Sequence, residues 1–563
     1  MDEELDPPAA AGTGVPLAPT PIARGRRGAV VAPHHLATAA GLEILRRGGH
    51  AVDAAIATNA VLAVVVPGGC GIGGDAFWLV WDAADRRQLA LNGSGRAPAG
   101  ADPAGLRAQG LERLPARGPL TIIVPGAVRS WGDAHARWGR LSRADVLAPA
   151  IELARDGFPA SPGFAGSVER TSAIVAPLLG ADCDFLAVFR PHGRAWRVGE
   201  IVRFPALART LDTLATDGFD AYYDGPLAER QASALSAAGA PFDPSDFRNH
   251  RSTWTEPIST TYRGTTVTTH PPNSAGVVAL EILNILEAHD APWPGSFGPG
   301  GPTDIEWIHR GIEASKLAMA DRDLSLTDPD ARDVPVAKLL DKARAHGLAD
   351  LIGERASMPP AATNPPGGGT IYLAVVDGEG NAVSLIESNW SGFGSGVVDR
   401  ETGIHYHNRG AFFSLDEDHP NVLAPGKRTL HTLVPGMLFR DPAGPWVVTG
   451  SMGGDAQPQI HAQVVSALVD GQADIRTAIG APRWFVGPRE LLTPPIDVYA
   501  EPRFAPGVLE GLEALGHPVV RTGPFDAQLG HAHAIELVDG GPASGGSLAA
   551  VTDPRSEGLP AAW

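Results

Sequence analysis

A glycine run meets a threonine at the head of an apolar stretch: Gly367-Gly368-Gly369-Thr370-Ile371-Tyr372-Leu373-Ala374-Val375-Val376-Asp377. A threonine hydroxyl is a weak nucleophile until a base takes its proton. Attack by the Thr370 hydroxyl on the Gly369 carbonyl would break the peptide bond between them. The freed α-amine, with an ordinary pKa of about 8, would then be the base that activates the same hydroxyl. Glycine before the nucleophile permits the distorted backbone and the close approach that such an attack requires. The same residues also fit a loop running into a strand, and this segment alone leaves both readings open.

Other segments carry weaker chemistry. Gly69-Cys70-Gly71-Ile72-Gly73-Gly74 has the spacing of a dinucleotide fingerprint, which must follow a strand and open a helix. Here a helical pattern precedes it and a strand pattern follows, so no nicotinamide or flavin is expected. His405-Tyr406-His407 and His531-Ala532-His533 would each share a strand face and could bind zinc. No third or fourth ligand is identifiable, so no metal is expected either. Cys70 has no histidine near it in sequence to activate it and reads as a small buried residue. With Cys183 the only other cysteine, a disulfide framework is unsupported.

These residues need elements to hold them. Leu36, Ala40 and Ile44 share one helical face, with Gly48-Gly49 as a stop. A second helix is expected over Val52 to Val65, then the glycine loop, then strands over 77–81 and 88–91. Residues 98–118 read as irregular. Helical patterns return at 142–155, 226–239, 274–288 and 303–320. After the break Pro365-Pro366-Gly367-Gly368-Gly369 the texture turns to strands, at 370–377, 382–388, 431–440, 446–450 and 532–538. Helices first and mixed strands later predict an α+β or layered fold with one shared core.

Composition bounds the function. The 563 residues exceed what one simple core usually supports, and 44% hydrophobic with 19% charged residues describe a globular chain. A formal charge of -18 disfavours nucleic acid or an anionic membrane surface as partners. Met1 to Gly14 lacks the basic and apolar regions of a secretory signal, and the apolar run 54–66 is too short to span a bilayer. A cytoplasmic location is expected, with residues 1–26 as a flexible tail.

Blocks along nearly the whole chain resemble the γ-glutamyltransferase (glutathione hydrolase) family. They include Ala32-Pro33-His34-His35-Leu36, Gly48-Gly49-His50-Ala51-Val52-Asp53-Ala54-Ala55, Gly71-Ile72-Gly73-Gly74 and Val124-Pro125-Gly126. Thr449-Gly450-Ser451 followed by Gly453-Gly454, and the late Asp553-Pro554-Arg555, are similar too. The resemblance implies an N-terminal-nucleophile hydrolase with a four-layer αββα sandwich, made as one inactive chain. It would be cut between Gly369 and Thr370 into a large subunit (27–369) and a small one (370–563). Thr370 would be the nucleophile, and Ser388 stands where the family has a threonine bonded to the nucleophile's amine. Gly453 and Gly454 would form the oxyanion hole. A non-catalytic, unprocessed relative is the remote alternative, which the retained Thr370, Ser388 and Gly453-Gly454 oppose.

The departures bear on substrate. Where the family grips an α-carboxylate with arginine this chain has Ser94, with Arg96 two positions later; Trp390 replaces an asparagine. Arg409 and Phe412 replace a glutamine and an aspartate that receive an α-ammonium, and His431-Thr432 replace paired serines. Phe412 removes an ammonium's partner and Arg409 repels one. Either arginine could instead fork a carboxylate, or be spent in a structural ion pair. The segment 414–427 is also shorter than the family's lid-bearing loop, implying a more open site. The expected substrate is a small-molecule amide, γ-glutamyl-type or with another carboxylate-bearing acyl group. Oxamate- or glutaryl-amide hydrolysis without γ-glutamyl activity is the alternative, and the one these substitutions favour.

Overall fold

The protein is described from a computed structural model covering residues 21–293, 295–298, 300–357, 369–490 and 493–563. Two seven-stranded antiparallel sheets stack face to face. The first runs, edge to edge, 561–562, 28–31, 369–377, 382–390, 75–82, 87–93 and 253–255. The second runs 23–25, 547–551, 532–538, 447–451, 435–439, 265–269 and 258–262. Helices cover both outer faces, giving the αββα sandwich.

Strand Gly369–Asp377 shows why these sequences layer this way. Side chains alternate across a strand. Ile371, Leu373 and Val375 join the core beneath the helices. Tyr372, Ala374 and Val376 join the core between the sheets. A strand buried on both faces reads as an unbroken apolar run, which is what the sequence shows. Helix Ala51–Val65 packs on the outer side and is buried all round, so it carries no polar face. Its start is fixed by a capping box between His50 and Asp53. The polar pair that interrupts its apolar run is used internally: Asn59 accepts from Trp131 Nε1 at 2.9 Å and donates to Glu387.

Both sheets mix strands from either side of the Gly369–Thr370 junction. Strands 369–377 and 382–390 lie between 28–31 and 75–82, while 435–439 pairs with 265–269. Cutting that junction would leave the two pieces interlocked by hydrogen bonds and a shared core.

Several expectations need correction. Ala23–Gly25, assigned to the tail, form an edge strand on Leu548–Ala550, and the Arg26 and Arg27 amides donate to the Trp563 carbonyl. Residues 1–20 lie outside the described residues, as do Pro365 to Gly368. A short helix, Pro103–Ala108, interrupts the segment expected to be irregular. Helices 127–138, 162–179, 205–217 and 457–469 were not legible, nor were strands 258–262 and 265–269. The last two are threonine-rich, so their buried face leaves no apolar alternation to detect. No helix among the described residues is long and apolar enough to cross a membrane.

Candidate active site

Thr370 is buried at the start of strand 369–377, on the same strand face as Tyr372. The Tyr372 ring packs so closely under Gly450 that a Cβ there would meet it at 2.2 Å. A local register shift between Gly369 and Thr370 brings Thr370 opposite Ser388 and Gly369 opposite Trp390. Gly369 has no room for a side chain, since a Cβ would lie 2.5 Å from the Gly68 carbonyl oxygen and 2.7 Å from that of Ser391.

The hydroxyls form an ordered chain. Ser388 Oγ donates to the Gly369 carbonyl at 2.9 Å and accepts from the Trp390 amide at 2.8 Å. Its contact with Thr370 Oγ1 is 2.8 Å. A serine has one proton, and the carbonyl takes it, so Thr370 is the donor in that last bond.

The glycine loop between helix 51–65 and strand 75–82 is a backbone cradle for this end of the sheet. The carbonyls of Gly68, Gly69 and Gly73 accept from the amides of Phe393, Asn389 and His407. Side chains at Gly71 or Gly73 would strike His405. Its helix-loop-strand order is opposite to a dinucleotide site. Burial pushes the Cys70 thiol well up, which suits a packed residue rather than a nucleophile.

Gly453 and Gly454 follow strand 447–451, with φ of 143° and 57°, where side chains are strained. Among the described residues neither N–H has a hydrogen-bond partner. Gly530 packs against Gly453, and Arg483 Nη1 holds its carbonyl at 2.7 Å.

The remaining site residues divide. Arg409, Trp390, Phe412, His431 and Thr432 come together. The Asn408 amide donates to the Asn389 carbonyl at 3.2 Å, tying this wall to the end of strand 382–390. Arg409 is 1% exposed and lies over the Phe412 ring (4.6 Å) and the Trp390 ring (5.7 Å). Its Nη2 donates to Thr432 Oγ1 at 3.3 Å, but Nε and Nη1 have no partner among the described residues. Burial lowers its guanidinium to about 9, with Asp75 and Asp455 pulling the other way. Arg96 is not part of this wall by its bonds. Its guanidinium pairs with Asp330 at 3.2 Å and reaches the Arg251 carbonyl. Ser94 is buried and bonded to Asn92 and Asn273.

Asp75, which the sequence reading missed, and His407, which it weighed only as half of a zinc pair, stand behind Arg409. Asp75 Oδ1 accepts from the Gly95 and Gly126 amides at 2.9 and 3.1 Å. Its Oδ2 lies 3.3 Å from His431 Nε2 and 3.5 Å from His407 Nδ1. Burial alone would raise the Asp75 carboxyl, but His407 in its protonated form, the His431 bond and Arg409 together hold it below the usual range. Asp75 directly follows the glycine loop, the one local signal that could have flagged it.

His309, Glu313 and His517 cluster tightly. Yet His309 bonds His517 at 2.8 Å and the Gly353 carbonyl at 2.8 Å, while Glu313 is taken by Lys316 and Ser357. Of the His-x-His pairs, His405 bonds Asn389, His407 the Ile123 carbonyl, and His533 the Asp553 amide.

Two stacked antiparallel sheets between helical layers, with a glycine-threonine junction opening a central strand, define the N-terminal-nucleophile hydrolase class. Within that class the chain belongs to the gamma-glutamyltranspeptidase family, whose model matches residues 37–563. It is 40% identical over 95% of its length to a glutathione hydrolase-like proenzyme, YwrD, of Bacillus subtilis, 98% of which is covered. It is 38% identical, with the same shares covered, to an oxamate amidohydrolase proenzyme of Klebsiella pneumoniae. The crystal structure of a cephalosporin acylase from Bacillus halodurans superposes with a TM-score of 0.88 at 37% identity, covering 100% of this chain and 99% of that one. The chain is thus an amide-cleaving enzyme of this family.

Proposed function

We propose that the chain cuts itself between Gly369 and Thr370 and then hydrolyses amides of carboxylate-bearing acyl groups that lack an α-amine, through an acyl-Thr370 ester. In the uncut chain, Thr370 Oγ attacks the Gly369 carbonyl carbon. Its proton passes to Ser388, whose own proton moves to the carbonyl oxygen already hydrogen-bonded to it. The C–N bond then breaks with the proton going to the Thr370 nitrogen, and water hydrolyses the resulting ester. In the mature enzyme the Thr370 amine takes the hydroxyl proton during attack on substrate, and returns it to the leaving amine. The Gly453 and Gly454 amides stabilise the oxyanion, where losing one donor typically costs on the order of 10²–10³ in rate.

The observation that carries the substrate class is Arg409: buried against Trp390 and Phe412, with two donor nitrogens unspent and, among the described residues, no carboxylate hydrogen-bonded to it. A buried guanidinium with free donors fits a carboxylate and repels an ammonium. The names of the relatives, an oxamate amidohydrolase and a cephalosporin acylase, agree with an acyl group of this kind. One feature favours a second reading: His431 Nδ1, unpartnered, could accept from the ammonium of a γ-glutamyl group.

Hydrolysis of a glutaryl anilide against its γ-glutamyl analogue separates the two. The glutaryl compound should have the higher kcat/KM, and a strong preference for the glutamyl compound would refute the assignment. Maturation is checked on a denaturing gel, where bands of about 38 and 20 kDa are expected. The smaller band should begin Thr-Ile-Tyr-Leu, and Thr370→Ala should leave one uncut, inactive chain.

A further inference from the structure

The wall behind Arg409 is electrically balanced only while the acyl site is empty. Arg409 carries one positive charge and Asp75 one negative, and both are buried. A bound carboxylate adds a second negative charge to a region with almost no water to screen it, which is costly unless something neutralises it. The geometry singles out one acceptor for the compensating proton. His407 Nε2 lies 2.9 Å from the Ile123 carbonyl, which can only accept, so Nε2 carries the ring's hydrogen and Nδ1 is bare. That bare nitrogen lies 3.5 Å from Asp75 Oδ2 and has no hydrogen-bond partner among the described residues. A lone pair facing a carboxylate is repulsive; a proton placed between them turns the contact into a charge-assisted bond. His431 meets the same oxygen with Nε2, so it already donates and gains less from a second proton.

We infer that His407 is a positioning residue which takes up one proton from solvent when a carboxylate binds at Arg409, so that the acyl group enters as a carboxylate plus a proton. No bond is broken in this step; the proton adds to His407 Nδ1, and Asp75 then holds it. The charged and titratable groups facing His407 are Asp75, His431 and Arg409, with Arg428 acting on Asp75 and Asp455 on Arg409 from farther off. Burial lowers His407, with Arg409 adding to it against the pull of Asp75 and the Ile123 bond, which keeps the ring neutral in the free enzyme. The inference rests on the reading of Arg409 as the carboxylate's partner.

Butyrate, a single carboxylate with nothing at its reacting end, is the probe. Its binding to the mature enzyme is measured by calorimetry at neutral pH in two buffers of different ionisation heat. Uptake of about one proton per butyrate is expected in the wild type. It should be lost in His407→Asn, and also in Asp75→Asn, where the extra negative charge is gone. Binding without proton uptake, uptake that persists in His407→Asn, or uptake lost only in His431→Asn would each overturn the inference. Failure of butyrate to bind would instead overturn the reading of Arg409.

Discussion

Two of the buried arginines in this protein, Arg555 and Arg409, teach opposite lessons. Arg555 spends its guanidinium completely. It bonds Glu501 at 2.6 and 2.9 Å, Asp553 at 3.1 Å and the Ala481 carbonyl at 2.7 Å. Arg483 reinforces the same cluster through Asp553 at 2.6 Å. Arg409 has the same burial but one side-chain bond, aromatic rings for neighbours and donors to spare. Burying a charge is costly either way, and only its partners offset the cost. In the first cluster the partners belong to the chain, so the cluster serves the fold. At Arg409 the fold supplies too few among the described residues, which is why the proposed function gives the missing ones to a ligand.

That contrast makes predictions that differ in kind. Arg555→Ala should be the most damaging, because it empties the centre of a buried charge cluster and leaves Asp553 to Arg483 alone and Glu501 to Arg503 alone. A loss of about 3–5 kcal/mol of unfolding free energy is expected from denaturant titration, with poor yield of folded protein. Arg409→Met should change stability by less than about 1 kcal/mol, since it removes an under-satisfied charge and keeps the volume. It should nevertheless weaken glutaryl-amide turnover through KM by roughly 30-fold or more, as truncating one side of a buried charge pair does. A large loss of stability in Arg409→Met, with KM intact, would place Arg409 with Arg555 as a structural residue.

The smallest effect concerns a third buried charge. Glu387 lies on the helix side of the strand that carries Ser388, and burial pushes its carboxyl up to about 8, against the Gly71 and Asn59 bonds. Its folded pKa lies above the unfolded one, so between about 4.5 and 8 the folded state holds a proton that the unfolded state releases. Stability from this group is therefore present at low pH and lost as pH rises through that window. Glu387→Gln should flatten the decline of Tm across it; an unchanged slope would mean that Glu387 is ionised when folded.

The strand that begins at Gly369-Thr370 was legible from sequence because its logic is local. Gly369, Thr370 and the following apolar run are adjacent in the chain, and a doubly buried strand announces itself as unbroken apolar sequence. The acyl wall was legible only in part. Phe412 and Arg409 signalled a changed head-group site, but whether Arg96 or Arg409 held the spare charge rested on distant partners. Arg96 is taken by Asp330, 234 residues away, and His431 by Asp75, 356 residues away. The threonine-rich strands were hidden for a different reason. Their residues bury without an apolar period that stands out.

The sequence alone determined the buried strand that opens at Gly369-Thr370, the family to which the chain belongs, and the residue types gathered around Arg409. The tertiary structure alone decided which charges are already neutralised. Charge pairing depends on what meets in space and on how little water remains there, and neither quantity is written in the spacing along the chain.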